Sequence, residues 1–219
     1  MSKIHIYFIP GLAASSNIFE HINLPNEQFE THCIEWLQPI QNETLVDYAK
    51  RMSAFVTESN TILIGVSFGG IIAQEMAEFV KPKKIVIISS IKNNQELPSA
   101  MQLARKTGFY KILPTRLLGK IPVLASYVKG KNLLAKSMQL YKKYLSMHDT
   151  YYLDWSIKQI LYWNRSEAAT NIIHIHGDKD AVFPIKNCKN TIVIKGGTHI
   201  MIINKYKWFN SNLPQLLLE

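Results

Sequence analysis

Short apolar runs alternate along this chain with stretches whose apolar residues recur every three or four positions. The runs cover residues 4–9, 32–36, 61–66, 84–90, 172–176 and 191–195, and each has the length and apolar content of a buried strand. Between the second and third, residues 44–56 place Leu45, Tyr48, Ala49, Met52, Phe55 and Val56 on one helical face. After the third run, Ile71, Ile72 and Met76 recur at helical spacing. Strand and helix alternating in this way predict a largely parallel sheet covered on both faces. The regularity breaks after Ser90. Residues 92–165 contain no strand-like run, only helical patterns rich in Leu, Tyr, Met and Lys, punctuated by Pro98, Pro114, Gly119 and Pro122. The expected organisation is an α/β core of residues 1–91 and 166–219, with a helical insertion, residues 92–165, after the fourth strand. That insertion is expected over the C-terminal edge of the sheet, where parallel sheets keep their sites.

Composition adds little until charge is located. The 219 residues are 47% hydrophobic, enough for one domain with a full core. The longest apolar runs are too short to cross a membrane. The amino terminus runs directly into a strand pattern with no small-residue cleavage site, so no signal peptide is expected. Two cysteines, Cys33 and Cys188, form no framework and show no metal-ligand spacing, which suits a reduced, cytoplasmic setting. The net charge is +9, yet residues 92–165 alone hold thirteen Lys and Arg against three acids, and the remainder is close to neutral. Such confinement reads either as a solvated helical surface that keeps the protein soluble or as a docking face for an acidic partner.

The chemistry centres on Gly65-Val-Ser67-Phe-Gly69, a Gly-x-Ser-x-Gly turn between an apolar strand and a helix. A serine hydroxyl is a poor nucleophile unless a fold holds it out of the helix and beside a base. A sharp strand-to-helix turn does so, and crowds the backbone so that glycine is needed on either side. Two further pieces follow later strands: His176-Gly-Asp178-Lys-Asp180, with Pro184 beyond it, and Gly196-Gly-Thr-His199. Asp178 and Asp180 compete for one role, since a carboxylate in such a turn often bonds its own backbone. His5, His32, His174 and His176 lie in or beside strand patterns and read as structural.

In their order of serine, aspartate and histidine, these motifs resemble the α/β-hydrolase superfamily over essentially the whole chain. The resemblance implies an α/β-hydrolase fold with a minimal, mostly parallel six-stranded sheet, lacking the N-terminal antiparallel hairpin, and a helical cap. It makes Ser67 the nucleophile, His199 the base and Asp180 the acid, with Asp178 the turn residue. It assigns the oxyanion hole to the backbone N–H groups of Phe68 and Leu12. Pro10 stands where a histidine usually braces that loop, so altered loop support is expected.

The function implied is a serine hydrolase of carboxylic esters or thioesters, with no metal or organic cofactor and a small acyl substrate. Small capped members that act on acyl groups carried by acyl carrier protein or coenzyme A, such as pimeloyl-carrier methyl ester esterases, fit the basic insertion. Lys129, Lys131, Lys136, Lys142 and Lys143 would then meet an acidic carrier. No nucleic-acid-binding module is present. The alternatives are a lyase-type use of the same triad and a ligand-binding protein on a hydrolase scaffold.

Overall fold

The structure, a computed structural model, describes residues 2–108 and 143–219. Six strands, β1 (Ile4–Ile9), β2 (Phe29–Cys33), β3 (Thr61–Val66), β4 (Lys84–Ile88), β5 (Ile172–Gly177) and β6 (Ile192–Ile194), form one sheet. Their order is β2-β1-β3-β4-β5-β6, and every neighbouring pair is parallel. The reversal of strand order between β1 and β3 marks the point where parallel α/β sheets open a crevice at their carboxyl ends. All six residues of β3 are buried, as expected for a central strand covered on both faces.

Helices α1 (Leu45–Ser53), α2 (Phe68–Val80), α3 (Ser99–Thr107), α4 (Thr150–Tyr162), α5 (Met201–Asn204) and α6 (Tyr206–Leu218) are the described α-helices. Strand alternation sends Tyr7, Ile9, Leu63, Ile85 and Ile87 to one face, where they pack with α1, α2 and α4. Ile6, Phe8, Ile62, Ile64, Val86 and Ile88 point the other way, onto Phe209, Leu213 and Leu217 of α6. Each such fully buried side chain contributes roughly 1.5–3 kcal/mol of apolar transfer, so both layers are needed to offset chain entropy.

The second strand departs from its expected position. It spans Phe29–Cys33, three residues earlier than the apolar run at 32–36, with Ile4 opposite Phe29 and Phe8 opposite Cys33. β2 is an edge strand, and Glu30, Thr31 and Cys33 on it are exposed. The apolar run marks the buried exit from the strand. Ile34 N–H bonds the Phe8 carbonyl at 2.9 Å, and Trp36 then turns inward to stack on Phe68 at 5.3 Å. Helix α1 likewise stops at Ser53, capped at its start by the Thr44 hydroxyl, which accepts from Asp47 N–H at 3.1 Å. Beyond that end the helical period no longer applies, and Phe55, expected on the inner face, is 51% exposed.

Within the expected insertion, α3 and α4 are described, while the stretch from Phe109 to Lys142, including Lys129, Lys131, Lys136 and Lys142, lies outside the described residues. Asp149 caps α4 by accepting from Tyr152 N–H at 2.9 Å. The helix then lays Tyr152 against Trp36 (5.8 Å) and Trp155 against Tyr48 (4.6 Å). This aromatic layer covers Phe68, directly beside Ser67.

Candidate active site

Ser67 joins β3 to α2 with φ 53° and ψ −118°, a left-handed backbone that a residue with a β-carbon adopts only under constraint. The constraint is visible. Ser67 N–H donates to the Ile88 carbonyl at 2.9 Å, and the Ser67 carbonyl accepts from Ser90 Oγ at 2.7 Å and Gly70 N–H at 2.9 Å. A β-carbon at Gly65 would lie 2.2 Å from the Gly69 carbonyl oxygen, and one at Gly69 would lie 2.3 Å from that of Pro10. The helix therefore starts hard against both flanking strands, and the Ser67 side chain makes no capping bond to it. Its hydroxyl points instead to His199, whose Nε2 is 2.9 Å from Oγ.

Asp180 and His199 sit on loops after β5 and β6 that interlock. Gly177 and Gly197 touch so closely that a β-carbon on Gly177 would lie 2.2 Å from the Gly197 carbonyl oxygen, and Lys179 N–H bonds that same oxygen at 2.8 Å. Across this contact the Asp180 carboxylate meets His199 Nδ1 at 2.9 and 3.1 Å. Its Oδ1 also accepts from Val182 and Phe183 N–H at 2.8 and 2.9 Å. Burial alone would raise the Asp180 pKa, but the His199 hydrogen bond and charge, with the Phe183 amide, leave it lowered. Asp178 makes a different bond, accepting from Gly196 N–H at 2.6 Å. So Asp180 faces the histidine, while Asp178 ties the two loops together.

Behind Asp180 lies a buried histidine pair. His176 Nε2 is 2.8 Å from the Phe183 carbonyl and 3.4 Å from Asp180 Oδ2. A carbonyl only accepts, so the His176 proton resides on Nε2, and its Nδ1 faces His174 Nε2 at 2.9 Å. Desolvation lowers both pKa values, that of His174 to about 3, so both rings are neutral near pH 7. His176 thus closes the loop that carries Asp180. Its motif position hinted at a turn role, but the carbonyl partner seven residues on depends on the loop's path.

The turn after β1 brings Gly11 against Ser67, since a β-carbon there would touch Ser67 Cβ at 3.5 Å. The next residue is Leu12, and Phe68 follows Ser67 directly in the chain. Support for this turn is aromatic. The Gly11 carbonyl accepts from Trp36 Nε1 at 3.0 Å and Ala14 N–H at 3.0 Å, and Ala13, at φ 62°, bonds residues 146 and 147 through its carbonyl. Trp36 therefore braces the loop that follows Pro10. The sequence carried no signal for this, because the indole is reached only through the buried exit from β2.

Among the described residues, two clusters offer metal-type ligand atoms within 4.8 Å of one another: His174, His176 and Cys188 behind Asp180, and His5, Glu30 and His32 on β1 and β2. Cys188 showed no ligand spacing in sequence because its neighbours come from β5, while it lies in the loop beyond. Of the basic residues in the insertion, Lys143 pairs with Glu20 at 2.5 Å, Arg165 with Glu75 and Glu78 at 3.1 and 2.8 Å, and Lys92 with Glu96 at 3.7 Å.

No protein-family model and no curated protein sequence matches the chain. Solved structures do. A bromoperoxidase from Bacillus anthracis superposes with a TM-score of 0.65 at 17% identity, covering 100% of this chain and 93% of that one. A thermophilic esterase from Thermogutta terrifontis gives 0.68 at 9% identity, covering 99% and 90%. A lipase-esterase related protein from Clostridium acetobutylicum gives 0.64 at 14% identity, covering 97% and 93%. At such identities the likeness is one of fold, and the chain has the α/β-hydrolase fold.

Proposed function

We propose that this protein is a serine hydrolase of carboxylic esters or thioesters, working through an acyl-enzyme. The observation that carries the proposal is the unbroken chain from Ser67 Oγ through His199 to the Asp180 carboxylate, with links of 2.9 Å on each side of the imidazole. In the acylation step His199 Nε2 takes the proton as Ser67 Oγ attacks the acyl carbonyl. Asp180, ionised and fixed by two amides, holds the imidazole and stabilises the imidazolium that forms. The developing oxyanion sits between the backbone N–H groups of Phe68 and Leu12, each worth about 10²–10³ in rate where such donors have been removed. The proton then passes from His199 to the departing alcohol or thiol. Water, activated by the same nitrogen, releases the acid and restores Ser67.

Residues 92–165 serve in this reading as a cap on a core of residues 1–91 and 166–219. The supporting observation is α4, whose Tyr152 and Trp155 pack on the aromatic layer over Phe68. Lys92, Lys143 and Arg165 are already balanced by glutamates. Of the lysines that would meet an acidic carrier, Lys143 alone is among the described residues, and an acyl group tethered to such a carrier is the finer form of this reading.

The test is turnover of p-nitrophenyl esters from acetyl to dodecanoyl, with fluorophosphonate labelling alongside. Ser67→Ala is expected to lower kcat by about 10⁴-fold or more and to abolish labelling. A wild-type protein that neither turns over an ester nor takes up the label would overturn the proposal.

A further inference from the structure

Away from Ser67, on the edge of the sheet, β1 and β2 bring together side chains that the hydrolase chemistry does not use. His5 lies opposite Glu30 in the parallel register, and His32 lies opposite Tyr7. Side chains alternate along a strand, so all four project from the same face, the one that carries α1. His5 Nδ1 is 3.0 Å from His32 Nε2. The Tyr7 ring stacks on His32 at 4.5 Å, and its hydroxyl is anchored by Thr57 N–H at 3.2 Å, so His32 rests on a fixed platform. On the far side of His5, Nε2 faces Glu58 Oε2 at 3.9 Å.

Two imidazole nitrogens meeting at this distance share a single proton. A cation that replaces the proton bonds both rings at once. With metal–nitrogen bonds of about 2.0–2.1 Å, two ligating nitrogens stand roughly 3.0 Å apart at a right angle and roughly 3.4 Å apart at the tetrahedral angle. The observed spacing therefore needs only a swing of the rings and a few tenths of an ångström. Glu30, exposed and within reach of both nitrogens, supplies an oxygen ligand. With His5 ligating through Nδ1, its Nε2 carries the proton, and Glu58 Oε2, 3.9 Å away, would accept it once the ring swings closer, as the carboxylate behind a ligating histidine does.

We propose that His5, Glu30 and His32, backed by Glu58, form a binding site for a divalent transition-metal ion of the zinc type that clamps the edge strand β2 to β1. Two imidazoles and one carboxylate favour Zn²⁺, Ni²⁺ or Cu²⁺ over Mg²⁺ and Ca²⁺. The cluster behind Asp180 is less suited. Its two histidines are buried, so an ion there would have to shed its water inside the fold, whereas Glu30 opens the β1–β2 cluster to solvent.

The experiment is calorimetric titration of tag-free protein with Zn²⁺ near neutral pH, with Co²⁺ absorption as a second readout. One ion per chain is expected at micromolar affinity, with a Zn²⁺-dependent rise in Tm. His5→Asn and His32→Gln should each weaken binding about tenfold or more, as typically follows loss of a ligand or its support. Glu30→Gln, at an exposed position, should weaken it several-fold and keeps the test valid if an imidazole variant misfolds. His21→Ala and Cys188→Ser should leave binding unchanged. Absence of binding below millimolar Zn²⁺, binding indifferent to His5, Glu30 and His32, or binding lost in Cys188→Ser would each overturn the proposal.

Discussion

Ser67 holds a positive φ whose strain is of order 1–3 kcal/mol, and the surrounding bonds from Ile88, Ser90 and Gly70 sustain it. The residue-level surprise lies one step further out, at His176. Its N–H to the Phe183 carbonyl closes the turn on which Asp180 stands, and its other nitrogen engages His174. Replacing His176 by alanine leaves a buried carbonyl and a buried ring without partners, each at a cost of about 1–3 kcal/mol. His176→Ala is therefore expected to lose about 3 kcal/mol in urea unfolding. Its kcat should fall about tenfold as Asp180 loses its position, because small misplacements of a catalytic group are costly. Wild-type stability together with wild-type kcat would refute this role. Ser67, Asp180 and His199 each stand in a local motif, and the resemblance to α/β-hydrolases chose Asp180 where the residues alone left Asp178 open. His176 stood inside one of those motifs as well, but its partner is set by how the loop folds back.

At the scale of elements, the turn between β1 and the β2 exit depends on one indole. Trp36→Phe keeps the ring stacked on Phe68 but removes the donor to the Gly11 carbonyl. We expect a loss of about 1 kcal/mol in stability. The kcat on a p-nitrophenyl ester should fall by more than the fold is weakened, because Gly11 abuts Ser67 and precedes Leu12. An unchanged kcat would argue that the turn needs no such brace. The same region shows where periodicity misleads. The apolar residues of 32–36 were legible as buried, and they are largely so. A buried exit and a buried strand look alike in sequence, because only the ladder to β1, ending at Cys33, tells them apart. Phe55 failed for a related reason. A helical face predicts burial only while the helix continues, and α1 ends two residues earlier.

For the molecule as a whole, the buried histidines make stability depend on pH. His174 titrates near 3 in the fold against an ordinary value of 6.5, and His176 is lowered as well. Between 6.5 and 3 the unfolded chain binds the extra proton, so stability is complete above 6.5 and is lost as pH falls through this window. Asp180, also lowered, keeps its contribution above its ordinary value of 3.8 and loses it only at lower pH, so it plays no part near pH 6. Each histidine contributes a slope of up to about 1.4 kcal/mol per pH unit. Urea unfolding at about pH 7.5 and 5.5 should differ by roughly 1–3 kcal/mol, and by distinctly less in His174→Gln. A flat profile would show that the two histidines titrate in the fold as they do in the unfolded chain. Charge balance belongs to this scale too. The basic excess of residues 92–165 was plain in sequence, and among its described members Lys143 and Arg165 pair with Glu20, Glu75 and Glu78 on distant elements. Among the described residues, no helix is long and apolar enough to cross a membrane.

What the sequence by itself determined is what depends on near neighbours in the chain: the apolar strands, the glycines that let a turn pass close to another backbone, and the motifs that put a serine, an aspartate and a histidine at strand ends. Those signals sufficed for an α/β-hydrolase fold because a parallel sheet aligns its carboxyl ends and gathers whatever residues stand there. Tertiary structure alone decided that Trp36 braces Gly11, that His176 closes the loop of Asp180, and that His5 meets Glu30 and His32 across two strands. Each of those contacts joins residues from separate segments, and register and chain path, which no local pattern encodes, set the distance between them.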